Sequence, residues 1–329
     1  MNTHRERMAA CLAGQILDRP PVALWRHQPV DDQSPETLAA ATLHFQQTFD
    51  FDLVKVTPAS SFCLRDWGVE DAWTGNPEGT RRYTRRVISE PQDWARLPKL
   101  DPHSGHLARQ IECLRLLRHA LGAEVPLLQT IFNPLAQAKN LAGEAQMLAH
   151  LRRYPEAVLQ GLEIIAASTR RFIEAAIETG IDGIFYAVQH AQAGLLTAEE
   201  YQTFGLSIDR RVLTPTPELW CNILHLHGRD IYFEMVSAYA SRFSAPLIVN
   251  WHDRETPPTL SEALSLFGGV VCGGLSRDTL VLGTPAQVRE EAQDAIAQTG
   301  GKRLLLSTGC VVPIIAPFGN LVAAGKGGA

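Results

Sequence analysis

One alternation constrains this chain more than any other feature. Short apolar runs, rich in β-branched residues, recur along its length, and each is followed by a segment with helical spacing. Eight such runs can be read: Val22–Trp25, Leu53–Thr57, Val125–Ile131, Gly183–Ala187, Trp220–His227, Pro246–Asn250, Gly269–Cys272 and Arg303–Leu306. They are continuously apolar rather than alternating, as in parallel strands buried on both faces.

The intervening segments carry helix signals. Ser34-Pro35-Glu36 reads as an N-cap and a first-turn proline that open a helix to about Phe49. Further helices are predicted over about 105–121, 144–151, 155–179, 197–213, 231–240, 260–267 and 284–299. Thr197-Ala198-Glu199-Glu200 is a capping-box pattern, and Gly180 and Gly300 close their helices. Eight strand–helix units in 329 residues predict one domain, a (β/α)8 TIM-type barrel over 1–329. A doubly wound open sheet is the alternative, but no glycine-rich phosphate loop follows the first strand. Appended to the barrel are an N-terminal helix from Thr3 to Leu17, stopped by Asp18-Arg19-Pro20-Pro21, and an aromatic-rich insertion after the second strand. That insertion runs through Trp67 and Trp73 and includes a hairpin over 81–88; a last helix lies near Pro317, before a frayed tail from Ala323 to Ala329.

Charge narrows the function classes. The net charge is −5 and the cations are scattered, so no basic block exists to pair with nucleic acid or an anionic membrane. No apolar run reaches membrane-spanning length, and the polar start has no signal-peptide character, which gives a cytoplasmic expectation. The six cysteines form no CxxC pair and are expected to be reduced, mostly as small buried hydrophobes.

In a barrel of this kind the chemistry sits where strands end. The residues there are Arg26-His27, Asn133, Gln189-His190, His225 with His227, Trp251-His252-Asp253, Cys272 and Cys310. His225 and His227 are the strongest signal. A strand period of two turns both imidazoles to one face, and burying both needs a shared polar reason. With Cys310 they form a candidate zinc site, in which two histidines and a thiolate leave a fourth position open for substrate. His190, His252 and Asp253 are candidates for positioning substrate or moving protons, and Arg26, Asn133, Gln189 and Cys272 for binding it. Cys272, beside Gly273-Gly274, also fits a small residue in a tight corner.

Several motifs, in order, resemble the uroporphyrinogen decarboxylase superfamily, which includes corrinoid and coenzyme M methyltransferases and is distantly related to cobalamin-independent methionine synthase. They are Leu17-Asp18-Arg19-Pro20-Pro21-Val22, Gly183-Ile184-Phe185-Tyr186, Leu195-Leu196-Thr197-Ala198-Glu199-Glu200-Tyr201, Leu224-His225-Leu226-His227-Gly228, Cys272-Gly273-Gly274-Leu275 and Gly309-Cys310-Val311-Val312-Pro313. The resemblance covers nearly the whole chain and implies a distorted barrel, with homodimerisation common in the family.

The two branches imply different sites. The decarboxylases carry an arginine-rich loop after the first strand, where this chain has Arg26-His27-Gln28-Pro29-Val30-Asp31 and matches only the first arginine. Their aspartate after the second strand falls at Pro58-Ala59-Ser60, and their tyrosine near Lys139-Asn140. The methyltransferases ligate zinc with His-X-Cys and a late cysteine; His225 and Cys310 match, and His227 stands at the middle position. The resemblance therefore implies a zinc-dependent methyltransferase exchanging methyl groups with a corrinoid on a separate protein, since this chain has no cobalamin-binding domain. A metal-free decarboxylase or other lyase with Arg26 as anion anchor is the alternative, and a non-enzymatic cofactor-binding subunit the third reading.

Overall fold

The computed structural model describes residues 3–214 and 218–326. Seven parallel strands form one curled sheet: β1 (Val54–Val56), β4 (Leu127–Phe132), β5 (Gly183–Val188), β6 (Asn222–Leu226), β7 (Leu247–Trp251), β8 (Val270–Leu275) and β9 (Leu304–Thr308), adjacent in that order. Helices cross between them, and a separate antiparallel pair, β2 (Glu70–Ala72) and β3 (Arg82–Arg85), forms the insertion after β1.

The expected first strand is reduced to a clasp. Val22 makes an isolated parallel bridge to Leu306, with Ala23 N–H donating to Leu306 O at 3.1 Å and Leu306 N–H to Pro21 O at 2.9 Å. On the other side one backbone bond, Asp52 N–H to Val22 O at 2.7 Å, reaches toward β1. Pro20 and Pro21 have no N–H to donate, so a full ladder cannot form there. The result is a distorted (β/α)8 barrel whose eighth stave is residues 21–25.

Two apolar layers follow from the strand period. One set of side chains faces the helices. The other fills the barrel, with Ala23, Trp25, Leu53, Leu128, Phe185, Ile223, Ile248, Val270 and Leu305 in contact inside it. The N-terminal helix (His4–Leu12) plugs the bottom with Met8, Cys11 and Leu12. It stops before Leu17 because the chain turns at Gly14, whose φ of 71° suits glycine. Below the sheet, Asp52 is gripped by His4, Arg7 and Arg19, and Asp182 by Arg5 and Arg118.

Several expectations shift. The hairpin pairs β3 with β2, so its first strand lies ahead of the 81–88 span. A helix, Pro134–Ala142, follows β4 directly, and another, Arg277–Leu282, follows β8. The 197–213 helix contains one wide π turn at Gln202–Leu206. The last helix, Phe318–Gly325, includes the start of the expected frayed tail, and residues 327–329 lie outside the described residues. Among the described residues no helix is long and apolar enough to cross a membrane.

Candidate metal centre

The site begins with cross-strand register. His225 on β6 lies opposite Asn250 on β7, and Asn250 opposite Cys272 on β8. His227, just past β6, is held by its N–H to Val188 O at 2.9 Å. His252 follows β7 with the same inward parity as Asn250. Cys310 arrives from the loop after β9. It comes this close because a Cβ on Gly309 would lie 2.6 Å from both the Trp251 carbonyl oxygen and His252 Cα, so only glycine fits against that backbone.

These four residues converge. His225, His227, His252 and Cys310 each offer one ligand atom, and the four atoms lie within 4.8 Å of one another. His227 Nδ1 is 3.4 Å from His252 Nε2 and 3.7 Å from Cys310 Sγ. Four donors around zinc at ordinary bond lengths would be separated by about 3.3 Å for N–N pairs and about 3.6 Å for N–S pairs. These two separations fit that donor set. The fourth donor is His252, a sequence candidate for positioning substrate or moving protons, which the fold brings into the cluster.

Neighbouring groups fix the donors. Asn250 Nδ2 donates to Cys272 O at 2.8 Å and Thr308 O at 3.0 Å, so its Oδ1 faces His225 Nδ1, 2.7 Å away. His225 therefore carries its proton on Nδ1 and keeps the Nε2 lone pair for the cluster. On the far side, His252 Nδ1 is 3.3 Å from Glu255 Oε1, and Glu255 is in turn 3.4 Å from Arg229 and 3.8 Å from Arg277. Such outer partners orient metal-binding imidazoles. Burial alone would push the Cys310 thiol up, but the three imidazoles around it, His225, His227 and His252, hold it well below the usual thiol range. Burial pushes His225 down, in keeping with a neutral imidazole.

A cavity of about 420 Å³ opens onto the cluster and is lined by His225, His227 and Cys310, with Trp25, His27, Lys55, Thr57, Phe132, Phe185 and Gln189 among its other walls. Of the predicted substrate contacts, only Gln189 lines this cavity. Arg26 points to the helix layer, its guanidinium carbon 4.8 Å from the Phe45 ring centroid. Asn133 caps the helix that follows it and donates to the buried carboxylate of Asp209. Cys272 is buried beneath Asn250. His190 and Asp253 are also outside the cavity. His190 is buried with neither ring nitrogen hydrogen-bonded, and burial pushes it down to about 3. Asp253 tucks under β8, accepting from Gly274 N–H at 3.0 Å, and burial pushes its carboxyl up to about 7. Parity separates these groups: Arg26, Asn133 and His190 are one residue out of step with the inward positions of their strands. The same count turns His27, Lys55 and His252 inward, and of these only Lys55 is absent from the strand-end candidates.

The family profile described as Uroporphyrinogen decarboxylase (URO-D) matches residues 31–324. The chain belongs to the URO-D family. Among URO-D family relatives, it is 21% identical to "Methylcobamide:CoM methyltransferase MtbA" of Methanosarcina acetivorans, over 97% of this chain and 95% of the relative. It is 22% identical to "Methylcobamide:CoM methyltransferase MtaA" of Methanosarcina barkeri, over 98% and 96%. A solved methyltransferase from Methanosarcina mazei superposes with a TM-score of 0.84 at 18% identity, covering 99% of this chain and 98% of that one. A B12-independent methionine synthase from Shewanella sp. W3-18-1 superposes with a TM-score of 0.59 at 14% identity, covering 94% and 92%. At these identities the two structures establish the shared fold.

Proposed function

We propose that this URO-D family chain is a metal-dependent methyltransferase. It would move a methyl group between a corrinoid carried by a separate protein and a small acceptor held in the barrel cavity. The observation that carries the reading is the four-atom cluster of His225, His227, His252 and Cys310 at the end of that cavity. The two curated relatives, both named as methylcobamide:CoM methyltransferases, support it.

A zinc ion would fit this donor set; because the four donors fill a tetrahedral shell, an acceptor would bind as a fifth ligand or in place of one of them, and the ion would supply Lewis acidity that holds its nucleophile deprotonated near neutral pH. The chain's own residues do the rest. Asn250 keeps the His225 lone pair turned to the cluster, and Glu255 holds His252. His225, His227 and Cys310 present the cavity side, while His252 is not part of that lining, so an acceptor meets the first three. Phe132, Phe185 and Trp25 exclude water around the acceptor, and Gln189 offers it a polar contact. Three imidazoles with one thiolate give a less negative site than a set with two thiolates, which widens the acceptor beyond thiols.

Metal analysis of the purified protein, with His227→Ala and Cys310→Ala, tests the reading. One ion per chain is expected, falling below one-tenth in the variants, together with loss of methylcobalamin demethylation by simple thiols or alcohols. A protein without stoichiometric metal, or one that decarboxylates uroporphyrinogen and ignores methylcobalamin, would refute it.

A further inference from the structure

The insertion after β1 reaches back toward the metal centre through one guanidinium. Between β2 and β3 the chain forms a strap, residues 73–81, whose tip at 74–77 is exposed and whose Glu78, Thr80 and Arg81 line the cavity. Arg81 anchors the base of the strap to Asp71 and to Pro29 O. Three contacts then fasten its tip. Ile314, in the loop that carries Cys310, donates its N–H to Pro77 O at 2.8 Å. Gly79 lies so close to the loop after the first stave that a Cβ there would be 2.6 Å from His27 Cβ. Glu78 accepts from Arg277 Nη1 at 2.7 Å, and Arg277 opens the helix Arg277–Leu282 that follows β8.

Arg277 faces two carboxylates at once. Its Nη2 is 3.8 Å from Glu255 Oε1, the same oxygen that lies 3.3 Å from His252 Nδ1. The other Glu255 oxygen is 3.4 Å from the largely exposed Arg229. Burial would lower the Arg277 guanidinium, but Cys310, Glu78 and Glu255 together raise it, which places it within electrostatic reach of the cluster. Its Nε is buried without a partner, so the group has donor capacity to spare. A separation of 3.8 Å is too long for a hydrogen bond. Glu78 therefore holds Arg277 off the oxygen that orients His252.

We propose that Arg277 is a positioning residue that couples the strap to the metal centre: while it is paired with Glu78 it leaves Glu255 to His252, and when the strap lifts it turns to Glu255 and loosens His252. Among the described residues Glu78 and Glu255 are its two ion-pair partners, so loss of one leaves the other. A charge-assisted bond from the guanidinium then competes with the imidazole N–H for the same oxygen. Outer partners of this kind tune the affinity of the histidine behind which they stand. The coupling is reciprocal: whatever strap closure adds to metal affinity, bound metal adds to strap closure. It rests on the metal reading proposed above and not on the identity of the methyl acceptor.

Zinc affinity of the purified full-length protein, measured by competition with a chromophoric chelator, tests this. Glu78→Gln is expected to weaken zinc binding about 5- to 10-fold, less than outright loss of an outer partner would. Arg277→Gln should bind zinc at least as tightly as wild type, because Glu255 is then left to His252. In the Arg277→Gln background, Glu78→Gln should change nothing further. Both side chains are partly exposed, so these variants should fold as wild type does. Hydrogen exchange supplies a second readout. The amides of Glu78 and Gly79 bond within the strap, to Asn76 Oδ1 and Asn76 O, and zinc should slow their exchange in wild type but not in Arg277→Gln. Equal weakening by Glu78→Gln in both backgrounds, which a simple charge effect would give, would overturn the coupling, as would strap amides indifferent to zinc. A wild type that takes up no zinc would overturn the metal reading and the coupling together, whereas normal uptake with additive effects would overturn the coupling alone.

Discussion

His225 Nδ1 lies 2.7 Å from Asn250 Oδ1, and this contact decides which face of the imidazole turns to Cys310. Asn250 in turn is anchored by the carbonyls of Cys272 and Thr308, so one side chain ties β6, β7, β8 and β9 to the orientation of one donor. Asn250→Ala is expected to lower metal affinity 10- to 100-fold, the range seen when an outer partner of a ligating histidine is removed. It should also cost about 2–4 kcal/mol of stability, from three lost buried hydrogen bonds. Competition with a chromophoric chelator measures the first effect and denaturant melts the second. Lower stability with unchanged metal affinity would reduce Asn250 to a packing role.

Cysteine reactivity should separate one thiol from five. Three imidazoles hold the Cys310 thiol well below its usual range despite its burial, so its thiolate persists to lower pH than that of an ordinary cysteine. Burial pushes Cys11, Cys63 and Cys113 up to about 12, and raises Cys221 and Cys272 as well. Metal-free protein treated with iodoacetamide at about pH 6.5 is expected to be alkylated at Cys310 first, as read by peptide mass spectrometry. Added zinc should protect it. Uniform labelling would contradict this electrostatic picture.

Beneath the barrel, a hydrogen bond to Asp52 raises His4 above the ordinary histidine range; burial opposes the shift, and the nearby Asp50 adds to it. A raised folded value means the protonated form is favoured by folding, so this stabilisation is complete below the unfolded histidine value, about 6.5, and lost as pH rises through the folded one. Asp52 has the opposite dependence. Burial would raise it, but hydrogen bonds from His4 and Arg19 prevail and lower it. Its contribution is present above about 3.8, the unfolded range, and is lost as pH falls through its folded value. Thermal melts of wild type and His4→Gln from pH 5 to 9 should differ most at pH 5–6 and converge above the histidine range. A constant gap would contradict the linkage.

Gly309→Ala should matter through geometry, since its Cβ would sit 2.6 Å from the β7 backbone. The Cys310 loop would have to lift, at a cost of about 1–3 kcal/mol. Metal affinity should fall by at least tenfold while far-ultraviolet circular dichroism stays unchanged. Wild-type affinity in this variant would show that the loop tolerates displacement.

The sequence makes the barrel legible because strand runs, caps and closing glycines agree at each step. Helices such as Pro35–Phe49 and Pro285–Thr299 appear where their end signals predict. The helix after β4 escaped notice because Asn133-Pro134 serves at once as strand exit, N-cap and first turn, leaving no loop to mark it. Proximity to a strand end proved a blunt guide to the site. Arg26 and His27 are neighbours in sequence, but the pleat sends one to the helices and the other to the cavity. Lys55 was hidden for a different reason: in an apolar run a lone lysine reads as an edge residue, and only closure of the barrel turns its face inward. Nothing local to His252 or Glu255 announced their pairing, which depends on the turn at 252–256.

The clasp at residues 21–25 makes the barrel's circumference unevenly stiff. That stave has two backbone bonds to Leu306 and one from Val312 N–H to Trp25 O on one side, and on the other one from Asp52 N–H with a bond from Val22 N–H to the Asp52 carboxylate, whereas β5, β6 and β7 run in continuous register. Counting round the ring, β6 with His225 lies diametrically across from Trp25. Compliance and ligand geometry are thus placed on opposite arcs. Amide hydrogen exchange should find the stave of Trp25 the first to open, giving a way in from the side while the histidine arc keeps its spacing.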